Sequence, residues 1–279
     1  MMSPILRSIA VLLLLCVALP AVAQVAVTPQ IQDISLDGPT RTYAFRFINF
    51  SKEIKRVKVS VSNWSMDASG KITEVPSQQQ SLDHWIEINP TEFTVPAGQA
   101  QVVRFAVRPA MQLAPGEHRA MVFFNEDPLP GQIAKPGTFR LQFRIGAAIY
   151  GHVGPIDRSG RIVSAKADAR GVAFELRNTG NATTRIQGVY AVWKKAAIPA
   201  AAAALPANMQ EPRFTPPPGM MAHGLLPQDA VLPEVTRAVD LHFSTAALPV
   251  GQYVLRMRGV IGPNDVTRDI PIDVTRPTH

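Results

Sequence analysis

The chain of 279 residues has a single cysteine, Cys16. It lies in the apolar run of residues 9–19, inside what reads as a removable leader. The remaining chain therefore has no thiol, which excludes disulfides, thiolate nucleophiles and cysteine-ligated metal. Charged residues are sparse at 18% and aromatics at 7%. The 28 Lys and Arg against 21 Asp and Glu give a net charge of +7, but the bases are scattered. The clustered basic face of a nucleic-acid binder is missing. Also missing are a GxSxG elbow and a glycine-rich phosphate loop; the glycines stand singly at turns. His84, His118, His152, His223, His242 and His279 are too far apart for a helical or hairpin metal site. Glu126 and Asp127 are adjacent acids, whose side chains point apart in extended chain. No segment keeps a helical period over three turns. The sequence thus supplies no catalytic constellation and calls for no cofactor or metal.

The chain opens with one base (Arg7), a short oily centre and small residues at Ala21 and Ala23, which is the build of a secretory signal cut after Ala23. The apolar run falls short of the roughly 20 residues that span a bilayer, so no stable membrane insertion is expected after cleavage. A lipoprotein reading of Cys16 fails because leucines, not small residues, precede it. The expected location is the periplasm. Removing residues 1–23 takes away Arg7 and no acid, so the +7 becomes +6. About 255 residues remain, enough for two domains, each with its own core.

What is abundant is alternation with a period of two. In residues 42–50 it sets Tyr43, Phe45 and Phe47 on one face, and in residues 56–66 Val57, Val59 and Val61. A turn at residues 67–70 leads into a further strand. Pro90, Pro96 and Gly98 then cut the next run into strands at 86–89, 91–95 and 101–107, and another follows at about 119–125. The stretch 137–153 is the longest: Phe139, Leu141, Phe143 and Ile145 alternate with Thr138, Arg140, Gln142 and Arg144, making one ribbon face oily and the other cationic. Strands resume after the break at 151–160, interrupted by residues 194–224, whose alanine run and PPPG read as a loop insertion. The fold class this implies is all-β, with two immunoglobulin-like sandwiches in tandem joined by a short hinge: residues 24–151, and 152–279 carrying the insertion.

Asn49, Asn63 and Asn181 each open a glycosylation-type triplet, a pattern common enough to arise by chance. Asn181 equally suits a surface turn.

The order of these features resembles the periplasmic chaperones of the chaperone-usher pilus pathway, the PapD-like family. Residues 45–64 are similar to the family's second and third strands, with Asn49 at its usual asparagine. Residues 88–107 resemble its proline, aromatic, glycine and basic passage at Pro90, Phe93, Gly98 and Arg104. Glu117 with Arg119 resembles an acid and base pair found there, and residues 138–151 its seventh strand. The resemblance covers the first half well and the second in outline.

It implies a non-enzymatic chaperone whose partners are pilus or fibre subunits and an outer-membrane usher. The family lends its seventh strand to a subunit lacking one, by edge pairing and by filling pockets with alternating apolar side chains. Phe139, Leu141, Phe143 and Ile145 match those donor residues. The same four equally suit their own domain's core. A second reading is an exported two-domain adhesion or scaffold protein that lends no strand. The family also holds a subunit's terminal carboxylate with an arginine and a lysine. Here those positions fall near Asp33 and at Ala147 or Ala148. Either another base, Arg41 or Arg144, anchors by a different path, or this chain does not grip that way; Arg144 has the wrong strand parity unless Gly146 bulges.

Overall fold

Alternation governs the folded chain as it does the sequence. The computed structural model describes residues 24–130, 141–200, 205–206 and 208–276. Strands dominate these residues, and the named helical pieces among them are two short 3-10 turns, Leu82–Trp85 and Lys195–Ala197. In the first half the strands are β1 (Val25–Thr28), β2 (Ile31–Ser35), β3 (Thr42–Asn49), β4 (Lys55–Ser62), β5 (Trp64–Met66), β6 (Ile72–Glu74), β7 (Ile86–Asn89), β8 (Glu92–Val95), β9 (Ala100–Val107), β10 (Gly116–Glu126) and β11 (Arg144–Val153). They form one sheet in the order β1-β3-β9-β7, a second in the order β2-β11-β10-β4-β8, and the small hairpin β5-β6.

The two larger sheets face each other across a core to which each strand gives alternate residues. Phe45 and Phe47 of β3 are fully buried. Phe45 stacks on Phe105 at 5.1 Å, and Phe47 lies 6.0 Å from Phe124. From β11, Ala147 and Ile149 point into the same core.

The path of the first residues decides how much of β11 is flanked on both sides. β1 runs antiparallel to β3 in one sheet, and after residues 29–30 the chain crosses to the other, where β2 lies parallel to β11. That pairing begins only at Ala148 opposite Ile31. The opening residues of β11 thus have β10 on one side and, among the described residues, no strand on the other.

The second half is built from β12 (Gly160–Ala167), β13 (Gly171–Asn178), β14 (Ile186–Lys194), β15 (Met220–Leu225), β16 (Thr236–His242), β17 (Gly251–Ile261) and β18 (Asn264–Val274). Sheets β12-β13-β16 and β15-β14-β17-β18 enclose Phe174, Leu176, Ile186, Tyr190, Leu255 and Met257. The two sandwiches touch through the outer face of the β11 sheet. Trp64, Met121, Ala148 and Tyr150 close around Leu232, and the amide of Ala238 donates to the carbonyl of Ala68 at 3.1 Å.

Two expectations need correction. Among the described residues, the strand foreseen over 137–153 is regular from Arg144 to Val153. Residues 141–143 lie outside regular structure, and 137–140 are outside the described residues. The ladder stops because its partner stops: β10 ends at Glu126, the amide of Asp127 turns to the carbonyl of Arg56, and Pro128 has no amide to give. The insertion foreseen over 194–224 is shorter than its composition suggests. Lys194 closes β14, and residues 220–224 belong to β15, paired with β14. Leu205 and Met209 are buried with Trp193 and Met220, so the excursion covers the outer face of that sheet.

Candidate functional site

The free rim at the start of β11 follows from strand parity. Ala148 donates its amide to Gln30 and His152 accepts from Leu36, so even-numbered residues turn their backbone groups toward β2. Gly146 and Arg144 therefore present theirs where, among the described residues, no strand lies. Odd-numbered side chains on this stretch face the core side. Phe143 is half-buried, 5.6 Å from Phe47, and Ile145 is half-buried opposite Phe124 on β10. Leu141 is 95% exposed. Phe139 lies outside the described residues. The rim is thus a graded apolar strip, anchored in the core at Ile145 and standing free at Leu141.

Of the two basic residues considered as anchors, Arg144 lies away from the junction of the sandwiches with its head engaged. The guanidinium of Arg144 is 2.6 Å from Glu74, 3.1 Å from Asn125 Oδ1 and 3.7 Å over the ring of Phe123. At roughly 3.3 Å per residue it also sits about 26 Å along β11 from His152, at the wrong end of the strand. Gly146 is in register opposite Phe123, and no bulge re-aims Arg144. Arg41 is exposed and lines a cavity of about 420 Å³ with Asp37, Tyr43, Met111, Leu113 and Val153. Ala147 faces the core and Ala148 packs in the Trp64 and Leu232 cluster, so neither alanine leaves a polar vacancy.

At that junction the structure gathers residues the sequence did not single out. His152 Nε2 lies 3.5 Å from Asp33 Oδ1 and 3.6 Å from Glu117 Oε2, and Arg158 Nη2 lies 3.5 Å from Asp33 Oδ1. Asp33 therefore has Arg158 of the connecting segment and the imidazole of His152 beside it, and does not stand as a lone acid. Glu117, with a side chain 1% exposed, accepts from Arg119 at 2.9 Å and, across the junction, from the amide and hydroxyl of Thr183 at 2.7 Å each. Burial alone would push this carboxyl up. The neighbouring His152 imidazole, the hydrogen bonds from Thr183 and the charge of Arg119 outweigh it and hold the pKa at about 2. Glu117 and Arg119 were visible in the sequence as a pair; Thr183 carried no signal beyond its place in the Asn181 triplet.

Asn181 itself is half-buried at this junction. Its carbonyl accepts from the Glu117 amide at 3.0 Å and its side chain joins Asp157 and Pro155. Asn49 is fully buried, with its amide against the carbonyls of Glu53, Val95 and Pro96, so it braces a loop and offers no attachment point for a glycan. Among the described residues no three His, Cys, Asp or Glu side chains group as a metal site, and no helix is long and apolar enough to cross a membrane.

No family model and no curated protein matches the chain. Solved structures similar to it include pilus and fimbrial chaperones. One is a chain of the CsuC–CsuE chaperone-tip adhesion subunit pre-assembly complex from archaic chaperone-usher Csu pili of Acinetobacter baumannii, at 15% identity over 91% of this chain and 100% of that one, with a TM-score of 0.44. A second is from the Salmonella enterica SafA pilin in complex with the SafB chaperone, at 12% identity over 90% and 97%, TM-score 0.42. The class 5 fimbriae chaperone CfaA matches at 14% identity over 85% and 97%, TM-score 0.46. The likeness is one of fold.

Proposed function

We propose that this chain is a periplasmic chaperone of the PapD-like kind. Exported by cleavage after Ala23, it binds pilus or fibre subunits before they reach an outer-membrane usher. Residues 24–151 form the domain that lends a strand to a subunit whose own sandwich lacks one, and residues 152–279 form the second domain. One observation carries the reading: among the described residues no strand pairs with the outer edge of the start of β11, and its strip of apolar side chains is only partly covered by its own core. A row of free backbone groups pairs with another strand, and side chains two residues apart fill the pockets beneath it. Full burial of Leu141 alone is worth about 1.5 to 3 kcal/mol to such a complex. The site has no reacting group, and its action is to cover an exposed groove.

The rival reading, an adhesion or scaffold protein that lends no strand, draws on the contact between Phe143 and Phe47, which is also what an ordinary core residue makes. Leu141 separates the two because it touches so little. The test is co-expression with a strand-lacking fibre subunit, followed by recovery of the complex from periplasm with wild type and Leu141→Glu. Loss of the complex by a variant that unfolds at the wild-type temperature supports strand lending; full recovery by that variant overturns it.

A further inference from the structure

The core of the first sandwich is closed at the β11 entrance by an ion pair, not by an apolar side chain. Lys55 Nζ lies 3.1 Å from Glu126 Oε1, and the two side chains are 5% and 2% exposed. Val57 and Val59 follow Lys55 on the same face of β4, and Phe124 precedes Glu126 on β10, all of them core residues. Glu126 is also the last rung that holds β11. Its amide donates to the carbonyl of Phe143 at 3.0 Å, and its second carboxylate oxygen faces the Phe143 amide at 3.4 Å, a long contact from the same residue.

A buried pair of this kind adds little to stability, since apolar side chains of similar volume commonly serve as well. What it adds is direction: the carboxylate is held by Lys55 and reaches the Phe143 amide. That matters here because the first residues of β11 are paired on one side only among the described residues and lie at the end of the ladder, with Phe143 beyond its last regular rung. A slip of one residue would turn Gln142 and Arg144 toward the core side and throw Phe143 and Ile145 outward.

We propose that Lys55 and Glu126 form a register latch, two positioning residues that decide which side chains the free rim presents. The proposal rests on the strand-lending reading for its purpose, though not for its test. Two double variants of the mature chain separate a latch from a plain contribution to stability. Lys55→Met with Glu126→Leu removes both charges together and leaves neither alone. Lys55→Glu with Glu126→Lys keeps a pair but offers no acceptor to Phe143. The measurement is amide hydrogen exchange at Phe143, Ile145, Ile149 and Gly151, whose amides all face β10. In both variants Phe143 and Ile145 exchange about tenfold faster or more, with Ile149 and Gly151 within about twofold of wild type. Unchanged exchange at Phe143 and Ile145 overturns the latch. So does acceleration of all four together, which marks a general loss of stability. A variant that exchanges as expected leaves the latch standing even where wild type captures no subunit, an outcome that sinks strand lending alone.

Discussion

Thr183 gives both its amide and its hydroxyl to the carboxylate of Glu117, each at 2.7 Å, and in doing so ties one sandwich to the other. Arg119 holds the carboxylate from its own strand. The neighbouring backbone repeats the link, with the Glu117 amide donating to Asn181. The connecting segment is drawn in as well, since Gly154 donates to Asp37 and Asp157 to Asn181. The junction is therefore a hydrogen-bonded joint, with one buried anion at its centre.

Acid should remove the contribution of this joint to the stability of the chain. The Glu117 carboxyl is held at about 2, below its ordinary 4.5, so the folded state favours the ionised form. Its contribution is whole above about 4.5 and is lost as pH falls toward 2. The drop corresponds to about 3 kcal/mol. Urea unfolding of wild type and Glu117→Gln at several pH values between 2 and 7 should give curves that differ by about that amount at neutrality and converge near pH 2. Parallel curves would show that this carboxyl is not the source.

Thr183 allows a finer division of the same joint. Thr183→Val keeps the shape and the amide bond but removes the hydroxyl, at a cost of about 1 to 2 kcal/mol. Thr183→Ser should recover most of that. A loss in Thr183→Ser with none in Thr183→Val would mean that packing of the methyl group, not the hydroxyl, holds the joint; thermal unfolding of the three proteins decides it.

The sequence disclosed the strands because burial on one face imposes period two, and β3, β4 and β10 follow that rule residue by residue. Turn residues such as the Asp67 to Gly70 turn disclosed the hairpin β5-β6. The limits of β11 were hidden, because Phe139 to Ile145 alternate whether or not a partner strand reaches them; where pairing stops is settled by Pro128 on another element. The joint was hidden for a related reason. Thr183 and His152 are ordinary residue types, and only the folded chain brings them to Glu117. Likewise, the alanines and prolines after Lys194 hid the fact that Leu205, Met209 and Met220 bury Trp193.

Asn49 and Asn178 form a pair the sequence shows only in hindsight. Each ends a strand and is fully buried. Each accepts the amide two residues on, Ser51 at 3.0 Å and Gly180 at 2.9 Å, and donates to carbonyls of distant loops. Asn49→Ala or Asn178→Ala leaves several buried backbone groups without partners, at a cost of about 1 to 3 kcal/mol per site. Asp fits the space but cannot donate, so Asn→Asp should fail to rescue either site. Denaturant midpoints of the four variants test this.

The free rim makes its own prediction about stability, separate from any partner. Leu141, nearly all in solvent, should tolerate Leu141→Ala within about 0.5 kcal/mol. Phe143 lies against Phe47, so Phe143→Ala should cost about 2 kcal/mol, less than the 3 to 5 of a fully buried phenylalanine because part of its surface is already wet. Ile145→Ala should cost a similar amount, as its side chain also packs against the core. The gradient follows the depth of each side chain along one strand. If Leu141→Ala destabilised the isolated protein as much as Phe143→Ala, residue 141 would be packed within its own domain, and the strip would have nothing left to lend.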